Sequence, residues 1–208
     1  MSDFQTDEDQ LAQLRTWWQK YGLPLLTGVV VVVVGVLGWN WYQNYTAERL
    51  ANASDLYVAY RAADGQARQA LADQILDEAS GTAYPAFVLF EQSEAAMAAG
   101  DGERAEALLR RAIDVASGDE LRQTARLRLA RVLFDLGRED DALAVLGQIR
   151  GAGYLGLAAE MQGDIHLSRG NRSLAHQSYT TAISYLPAGE QRPLLEMKLA
   201  DTADASDS

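Results

Sequence analysis

The chain has no cysteine and only four prolines among its 208 residues. Without cysteine it can form neither a disulfide nor a thiolate metal site. The strict alternation of apolar and polar residues that is typical of strands is also nearly missing beyond residue 48. Apolar residues recur there at three- and four-residue spacing, among Ala, Leu, Gln and charged residues. The sequence therefore predicts an all-α fold.

Charge is absent from one long stretch, between Lys20 and Glu48. Within this stretch, residues 21–42 read YGLPLLTGVVVVVVGVLGWNWY. A membrane-spanning helix needs about 20 such residues, whereas a buried strand has roughly 4 to 8 and a lone strand in lipid would leave its backbone groups unpaired. We expect a single transmembrane helix over residues 21–42, with the lipid bilayer as a partner.

Aromatic residues flank this span on both sides, which is typical of the two membrane interfaces. They are Trp17, Trp18, Tyr21, Trp39, Trp41, Tyr42 and Tyr45. A cleaved signal peptide is the alternative, because Ala51 and Ala53 form a small-x-small triplet. The apolar core of a signal peptide is usually about 7 to 15 residues, which is shorter than this run. An uncleaved anchor is favoured.

Basic residues predict the orientation of the anchor. Arg15 and Lys20 precede the span, and only Arg49 follows it closely, which favours a cytoplasmic N-terminus. The predicted organisation is a short cytoplasmic segment over residues 1–20, the span over 21–42, a periplasmic domain over 43–200 and a flexible tail over 201–208. Leu11, Leu14 and Trp18 predict a short amphipathic helix before the span.

The external domain is acidic. The four acids and two bases before residue 48 leave 25 acids and 16 bases for the domain, a net charge of about −9 against −11 for the whole chain. Nucleic acid and anionic lipid headgroups are bound largely through Lys and Arg. No nucleic-acid partner is expected; the alternative is that the charge simply keeps the domain soluble.

Two segments share a helix-turn-helix pattern. Residues 129–149 read LARVLFDLGREDDALAVLGQI, and residues 163–187 read GDIHLSRGNRSLAHQSYTTAISYLP. Their turn glycines, Gly137 and Gly170, are 33 residues apart, close to the roughly 34-residue period of tetratricopeptide repeats. Each glycine can take the positive φ that ends a first helix. The small residue at Gly163 allows two helices to approach, and Tyr179 fills the space between neighbours.

The remaining matches follow the same offsets: Ala130, Leu146, Ala142 and Ala175 at contact positions, and Pro187 ending the last helix. A weaker copy contains Gly100, Ala105, Leu109 and Ala112. Further upstream, Gly65 and Ala70 have the same separation, and we interpret that segment as a helical hairpin that caps the array. The fold prediction is one N-terminal transmembrane helix followed by a tetratricopeptide-repeat-like solenoid of helical hairpins.

With these segments the chain resembles the YfgM-type inner-membrane proteins, ancillary subunits of the SecYEG translocon. The resemblance rests on the acidic N-terminus before a single anchor and on three segments: LRLARVLFDLGREDDAL, IRGAGYLGLAAEMQGDIHLSRG and LLEMKLADT. Gly151 to Ala159 is interpreted as an unusual linker between two repeats. The resemblance covers most of the chain.

The resemblance implies a single-pass protein of the bacterial inner membrane with its repeat domain in the periplasm. It also implies association with the SecYEG translocon and with PpiD, a periplasmic chaperone of the prolyl-isomerase class, to which emerging polypeptides pass. The family has no catalytic residues, and no cofactor is implied.

Motifs of catalysis are not supported. Gly151, Gly153 and Gly156 form a GxGxxG, but the dinucleotide fingerprint needs a preceding strand, and the pattern before it is helical. A loop between repeats is the expected structure. The two histidines, His166 and His176, lack the HExxH spacing, and a packed His166 is expected. Neither an enzyme nor a small-molecule substrate is predicted.

Interaction surfaces are predicted from the repeat pattern, in which first helices line a concave face that suits extended or helical polypeptide. The candidates are Phe87, Phe90, Met97, Leu127, Arg131, Phe134, Glu160, Asp164 and Leu167. The alternative is that Phe87, Phe90 and Phe134 simply pack between helices. In the anchor, Gly28 and Gly35 share one helix face and would permit close helix packing.

Two classes of function stay open on the residues alone. One is a translocon-associated adaptor that passes unfolded or nascent polypeptides to chaperones. The other is an envelope scaffold that organises cell-division or cell-wall enzymes through the same repeats. Only the family resemblance separates them.

Overall fold

The computed structural model describes residues 4–187 and 191–203, and all regular structure in these ranges is helical. Two compact units divide between residues 51 and 52. The helices are α1 (Phe4–Ala62), α2 (Gly65–Glu78), α3 (Tyr84–Ala98), α4 (Gly102–Val115), α5 (Asp119–Asp135), α6 (Glu139–Leu146), α7 (Ala152–Ser168), α8 (Arg172–Ser184) and α9 (Pro193–Thr202). The all-α prediction is confirmed.

The first unit consists of the N-terminal part of α1. Within the described residues, α1 is the one helix long and apolar enough to cross a membrane. None of the 18 residues in its most apolar stretch is buried. Val31 and Leu37, for example, are 70% and 62% exposed. Such a surface needs lipid or a protein partner to cover it. The predicted anchor over residues 21–42 lies inside this helix.

Neither end of the predicted span coincides with a helix end, because α1 runs from Phe4 to Ala62. The short helix expected before the span is part of α1, and Leu11, Leu14 and Trp18 are exposed on it. At the other end of the chain, α9 continues to Thr202, two residues into the expected tail. Residues 204–208 lie outside the described ranges.

The second unit is an array of helical hairpins, formed by α3 with α4, α5 with α6, and α7 with α8. The turns after α5 and α7 contain Gly137 and Gly170, with φ values of 73° and 75°. In each turn the residue after the glycine donates its backbone N–H to the carbonyl oxygen of a residue in the last turn of the helix: Arg138 to Leu133, and Asn171 to His166. This is the Schellman bond, which requires a left-handed residue. The predicted role of both glycines is confirmed.

The helices α7 and α8 approach closely where Gly163 faces Tyr179. A Cβ built at Gly163 would lie only 2.5 Å from Cδ1 of Tyr179, and this tyrosine is fully buried. Ala142 and Ala175 are also fully buried. The predicted contact positions of the two repeats are therefore confirmed.

Two local predictions are wrong. Gly151 to Ala159 is not a linker, because α7 begins at Ala152. A Cβ at Gly156 would lie 3.2 Å from the Cβ of Tyr185. The lack of a side chain at Gly156 therefore lets the end of α8 pack closely against α7. In the capping hairpin Ala70 is exposed, and Ala72 is the small residue that packs.

The capping hairpin joins the C-terminal end of α1 to α2 and α3. A cluster of buried side chains holds it, including Tyr60, Ala72, Ile75 and Val88. Gly65 supplies its turn with a φ of 57°. A larger core runs through α3 to α7, and a third cluster joins α7, α8 and α9 around Leu195.

Candidate protein-interaction surface

Four of the predicted interaction residues meet in one groove between α5, α7 and α9, with a cavity volume of about 440 Å³. They are Leu127 and Arg131 on α5, and Glu160 and Asp164 on α7. The rest of the lining comes from Leu157, Met161, Arg192, Leu194 and Lys198. We call this surface the α5/α7/α9 groove. Its volume lies within the roughly 300 to 1,000 Å³ of protein ligand sites.

The other predicted residues serve packing in this structure. Phe90 is 5% exposed, and the guanidinium of Arg128 lies 4.6 Å above its ring. The expectation that Phe90 is exposed to a partner is therefore wrong. Phe87, Met97 and Phe134 are partly buried against the main core.

Leu167 packs against the cluster between α7, α8 and α9. The expectation that His166 packs among helices agrees with its partial burial. Its Nδ1 atom is buried and has no hydrogen-bond partner among the described residues.

A network of ion pairs between α7 and α9 lines the α5/α7/α9 groove. The Lys198 Nζ atom lies 3.1 Å from Glu160 and 2.7 Å from Asp164, and Arg192 lies 2.8 Å from Glu160. The hydroxyl of Tyr179 donates to Asp164 at 2.9 Å. Both carboxylates of the groove are thus neutralised from within the chain.

This network shifts the protonation equilibria of its donors. Burial alone would lower the pKa of Lys198, but its hydrogen bonds to Asp164 and Glu160 outweigh burial, so that pKa is raised. Burial raises the pKa of Tyr179 well above its usual value, and the hydrogen bond to Asp164 raises it further. Lys198 is therefore charged and Tyr179 neutral at physiological pH.

Sequence reasoning missed the contribution of α9 to this groove. Arg192, Leu194 and Lys198 lie outside the repeats, and the α7 partners of Arg192 and Lys198 are 32 to 38 residues away in the chain. Repeat spacing carries no information about them. The available signal was the run of apolar residues at Leu194, Leu195, Met197 and Leu199, which gives α9 more apolar surface than one packed face needs.

A second cavity, of about 480 Å³, lies beside the capping hairpin. Glu91 lines this cavity and accepts hydrogen bonds from the Tyr57 hydroxyl at 2.5 Å and from Arg68 at 2.8 Å. Arg68 also lies 4.6 Å above the ring of Tyr60. Burial and then the hydrogen bond to Glu91 raise the pKa of Tyr57 to about 12. These contacts tie α1, α2 and α3 together.

The GxGxxG does not form a phosphate-binding loop. It follows helix α6 rather than a strand, and Gly153 and Gly156 lie inside α7. The dinucleotide fingerprint is excluded because its glycines must join a strand to a helix. Over the described part of the chain, no three His, Asp or Glu side chains converge as a metal site.

The two anchor glycines are open on the surface of α1. A Cβ at Gly28 or Gly35 would meet nothing within 4 Å, and Gly28 lines a shallow depression with Val29, Val32 and Val33. Both glycines leave room for a neighbouring helix, and their role in helix packing stays a prediction.

Comparison with known proteins agrees with this architecture. The family model of the tetratricopeptide repeat-like domain matches residues 15–204. No solved structure matches the chain significantly. The match begins before the predicted span and therefore covers the anchor as well as the repeats.

Curated relatives share one description, "Ancillary SecYEG translocon subunit". The protein of Haemophilus influenzae is 32% identical, over 85% of this chain and 88% of its own length. That of Aggregatibacter actinomycetemcomitans is 28% identical, over 93% and 96%. That of Escherichia coli is 23% identical, over 96% and 98%. The chain belongs to the family of ancillary SecYEG translocon subunits, which carry a tetratricopeptide repeat-like domain.

Proposed function

We propose that this protein is an adaptor of the bacterial inner membrane that associates with the SecYEG translocon. Its repeat domain, in the periplasm, passes emerging polypeptides to a periplasmic chaperone of the PpiD type. It acts by binding other proteins and catalyses no reaction. The observation that carries the proposal is family membership over nearly the whole chain, anchor included.

The structure supports the two physical requirements of such an adaptor. The anchor presents an uncovered apolar helix, which can lie beside the transmembrane helices of a membrane complex. The α5/α7/α9 groove offers Leu127, Leu157 and Leu194 next to charged side chains. Mixed apolar and charged grooves are suited to polypeptide segments.

The orientation can be tested because the chain has no cysteine. We would introduce single cysteines at two exposed positions, Thr16→Cys before the span and Ser117→Cys in the domain, and label intact cells with a membrane-impermeant maleimide after permeabilising only the outer membrane. Labelling of Ser117→Cys but not of Thr16→Cys is expected. The reverse pattern would place the domain in the cytoplasm and refute the periplasmic role.

The partners can be tested by purifying the tagged full-length protein from mildly solubilised inner membranes, with an unrelated single-pass protein carrying the same tag as control. Enrichment of translocon subunits and of a PpiD-type chaperone over the control is expected. Enrichment of cell-division or cell-wall enzymes without translocon subunits would support an envelope scaffold instead and would overturn the adaptor proposal.

A further inference from the structure

The charges of the α5/α7/α9 groove differ from those of the rest of the protein. Among the described residues, three cations and two carboxylates line the groove, a net charge of +1, whereas the whole chain carries −11. The groove therefore carries a net charge opposite in sign to that of the chain as a whole.

Four of the five charges are already paired with each other. Arg192 pairs with Glu160, and Lys198 bridges Glu160 and Asp164. Both acids are mostly covered, with side chains 13% and 22% exposed. A basic ligand would have to displace Arg192 or Lys198 to reach either acid.

Arg131 is the exception. Arg131 is exposed and lines the groove, and it forms no ion pair with any residue in the ranges 4–187 and 191–203. It is a permanent cation, since guanidinium groups stay protonated in proteins. It can hold a carboxylate through two parallel hydrogen bonds, for which its planar donor geometry is suited.

Apolar side chains line the same groove as Arg131. Leu157 and Leu194 are 41% and 59% exposed, and Leu127 and Met161 also line the groove. Covering these leucines would remove apolar surface from water, which favours an apolar ligand. The groove thus combines exposed apolar surface with one positive charge that forms no ion pair with another described residue.

We propose that the α5/α7/α9 groove binds an apolar polypeptide segment that carries an acidic side chain, and that this carboxylate pairs with Arg131. The proposal rests on the proposed polypeptide-binding function and specifies its ligand. Segments with a basic side chain at the same place are rejected, because they would face Arg131 while the groove acids are already occupied.

The test uses two fluorescent synthetic peptides that are identical leucine-rich segments except for a central Glu or Lys. Binding to the full-length protein in nanodiscs of zwitterionic lipid is measured by fluorescence anisotropy, with empty nanodiscs as background. The wild-type protein should bind the Glu peptide about two- to fivefold more tightly than the Lys peptide, since an exposed ion pair contributes on this order.

Charge reversal at Arg131 gives the decisive comparison. R131E should invert the preference, and R131Q should abolish it. The matched control is R111E, because Arg111 is also an exposed arginine with no ion pair in the described ranges, but it lies on α4 away from the groove. R111E should leave the preference unchanged. Circular dichroism confirms that each variant is folded.

Three results would overturn the proposal: a wild-type preference for the Lys peptide, no binding of either peptide, or a Glu preference that survives in R131E. A change of oligomeric state in R131E, seen by mass photometry, would assign the groove to a second copy of the chain and overturn it too. If the peptide-binding proposal fails in one of these ways but translocon subunits still copurify with R131E, the proposed adaptor function stands. Their absence from wild-type preparations would refute that function independently.

Discussion

Three glycines of α7 provide a graded test of how closely α7 and α8 pack. A Cβ added at Gly153 would meet nothing within 4 Å, and one at Gly156 would lie 3.2 Å from the Cβ of Tyr185. One at Gly163 would overlap the ring of Tyr179. That ring is fully buried, and Asp164 holds its hydroxyl, so it has little freedom to move aside.

Two opposing effects set the expected change in stability when each glycine becomes alanine. Alanine is favoured over glycine in a helix interior by about 0.8 to 1 kcal/mol, while an added group in a packed site costs about 1 to 3 kcal/mol. Gly153→Ala, in the first helical turn, should stabilise the domain by up to about 1 kcal/mol. Gly156→Ala should be close to neutral. Gly163→Ala should destabilise it by about 1 to 2 kcal/mol, because the overlap with Tyr179 exceeds the helical gain.

The free energy of unfolding of each full-length variant is measured in detergent by urea titration followed by circular dichroism. Gly153→Ala is the matched control, since it makes the same chemical change in the same helix without a neighbour. The account requires the order Gly153→Ala, Gly156→Ala, Gly163→Ala from most to least stable. A Gly163→Ala protein as stable as Gly153→Ala would refute the close approach of α7 and α8.

Three further predictions concern other parts of the repeat domain. Asp101→Ala removes the side chain that caps α4 by accepting the backbone N–H of Arg104 at 3.1 Å, and urea titration should show a loss of about 1 kcal/mol. Leu195→Ala, at a fully buried leucine of α9, should cost about 2 to 5 kcal/mol, whereas Leu194→Ala, at a leucine 59% exposed, should leave stability nearly unchanged; equal losses would contradict the packing of α9. The pKa of Tyr57 is raised from 10.0 to about 12 in the folded protein, so the stability that it contributes is fully present below pH 10 and is lost as pH rises through about 12. Tyr57→Phe should remove this alkaline loss in urea titrations across that range, and an unchanged pH profile would show that the folded protein does not hold Tyr57 protonated.

The repeat geometry was predictable where a local requirement appears in the sequence. Gly137 and Gly170 end their helices with a positive φ, which few other residues adopt. Gly163 and Tyr179 form a small-large pair at a fixed offset, and the structure places them in contact. These features depend on a single turn or helix pair, so the sequence pattern is sufficient to find them.

The prediction failed where distant packing decides the structure. The glycines of residues 151–159 are typical of a loop, yet Gly153 and Gly156 lie in α7, and the close contact with Tyr185 favours glycine at position 156. Phe90 follows the repeat pattern of an exposed face but is buried beneath Arg128. The wall that α9 adds to the groove depends on Lys198 reaching back to α7. Tertiary contacts of this kind leave no periodic trace in a sequence.

Site-specific photo-crosslinking in intact membranes tests the central claim, association with the translocon, most directly. One photoreactive residue would replace Gly35 in the anchor, and another would replace Leu157 in the α5/α7/α9 groove. The proteins crosslinked at each position would be identified by mass spectrometry. The account predicts translocon subunits at Gly35, and a periplasmic chaperone or emerging polypeptides at Leu157. Adducts with cell-division or cell-wall proteins at both positions, and none with the translocon, would contradict it.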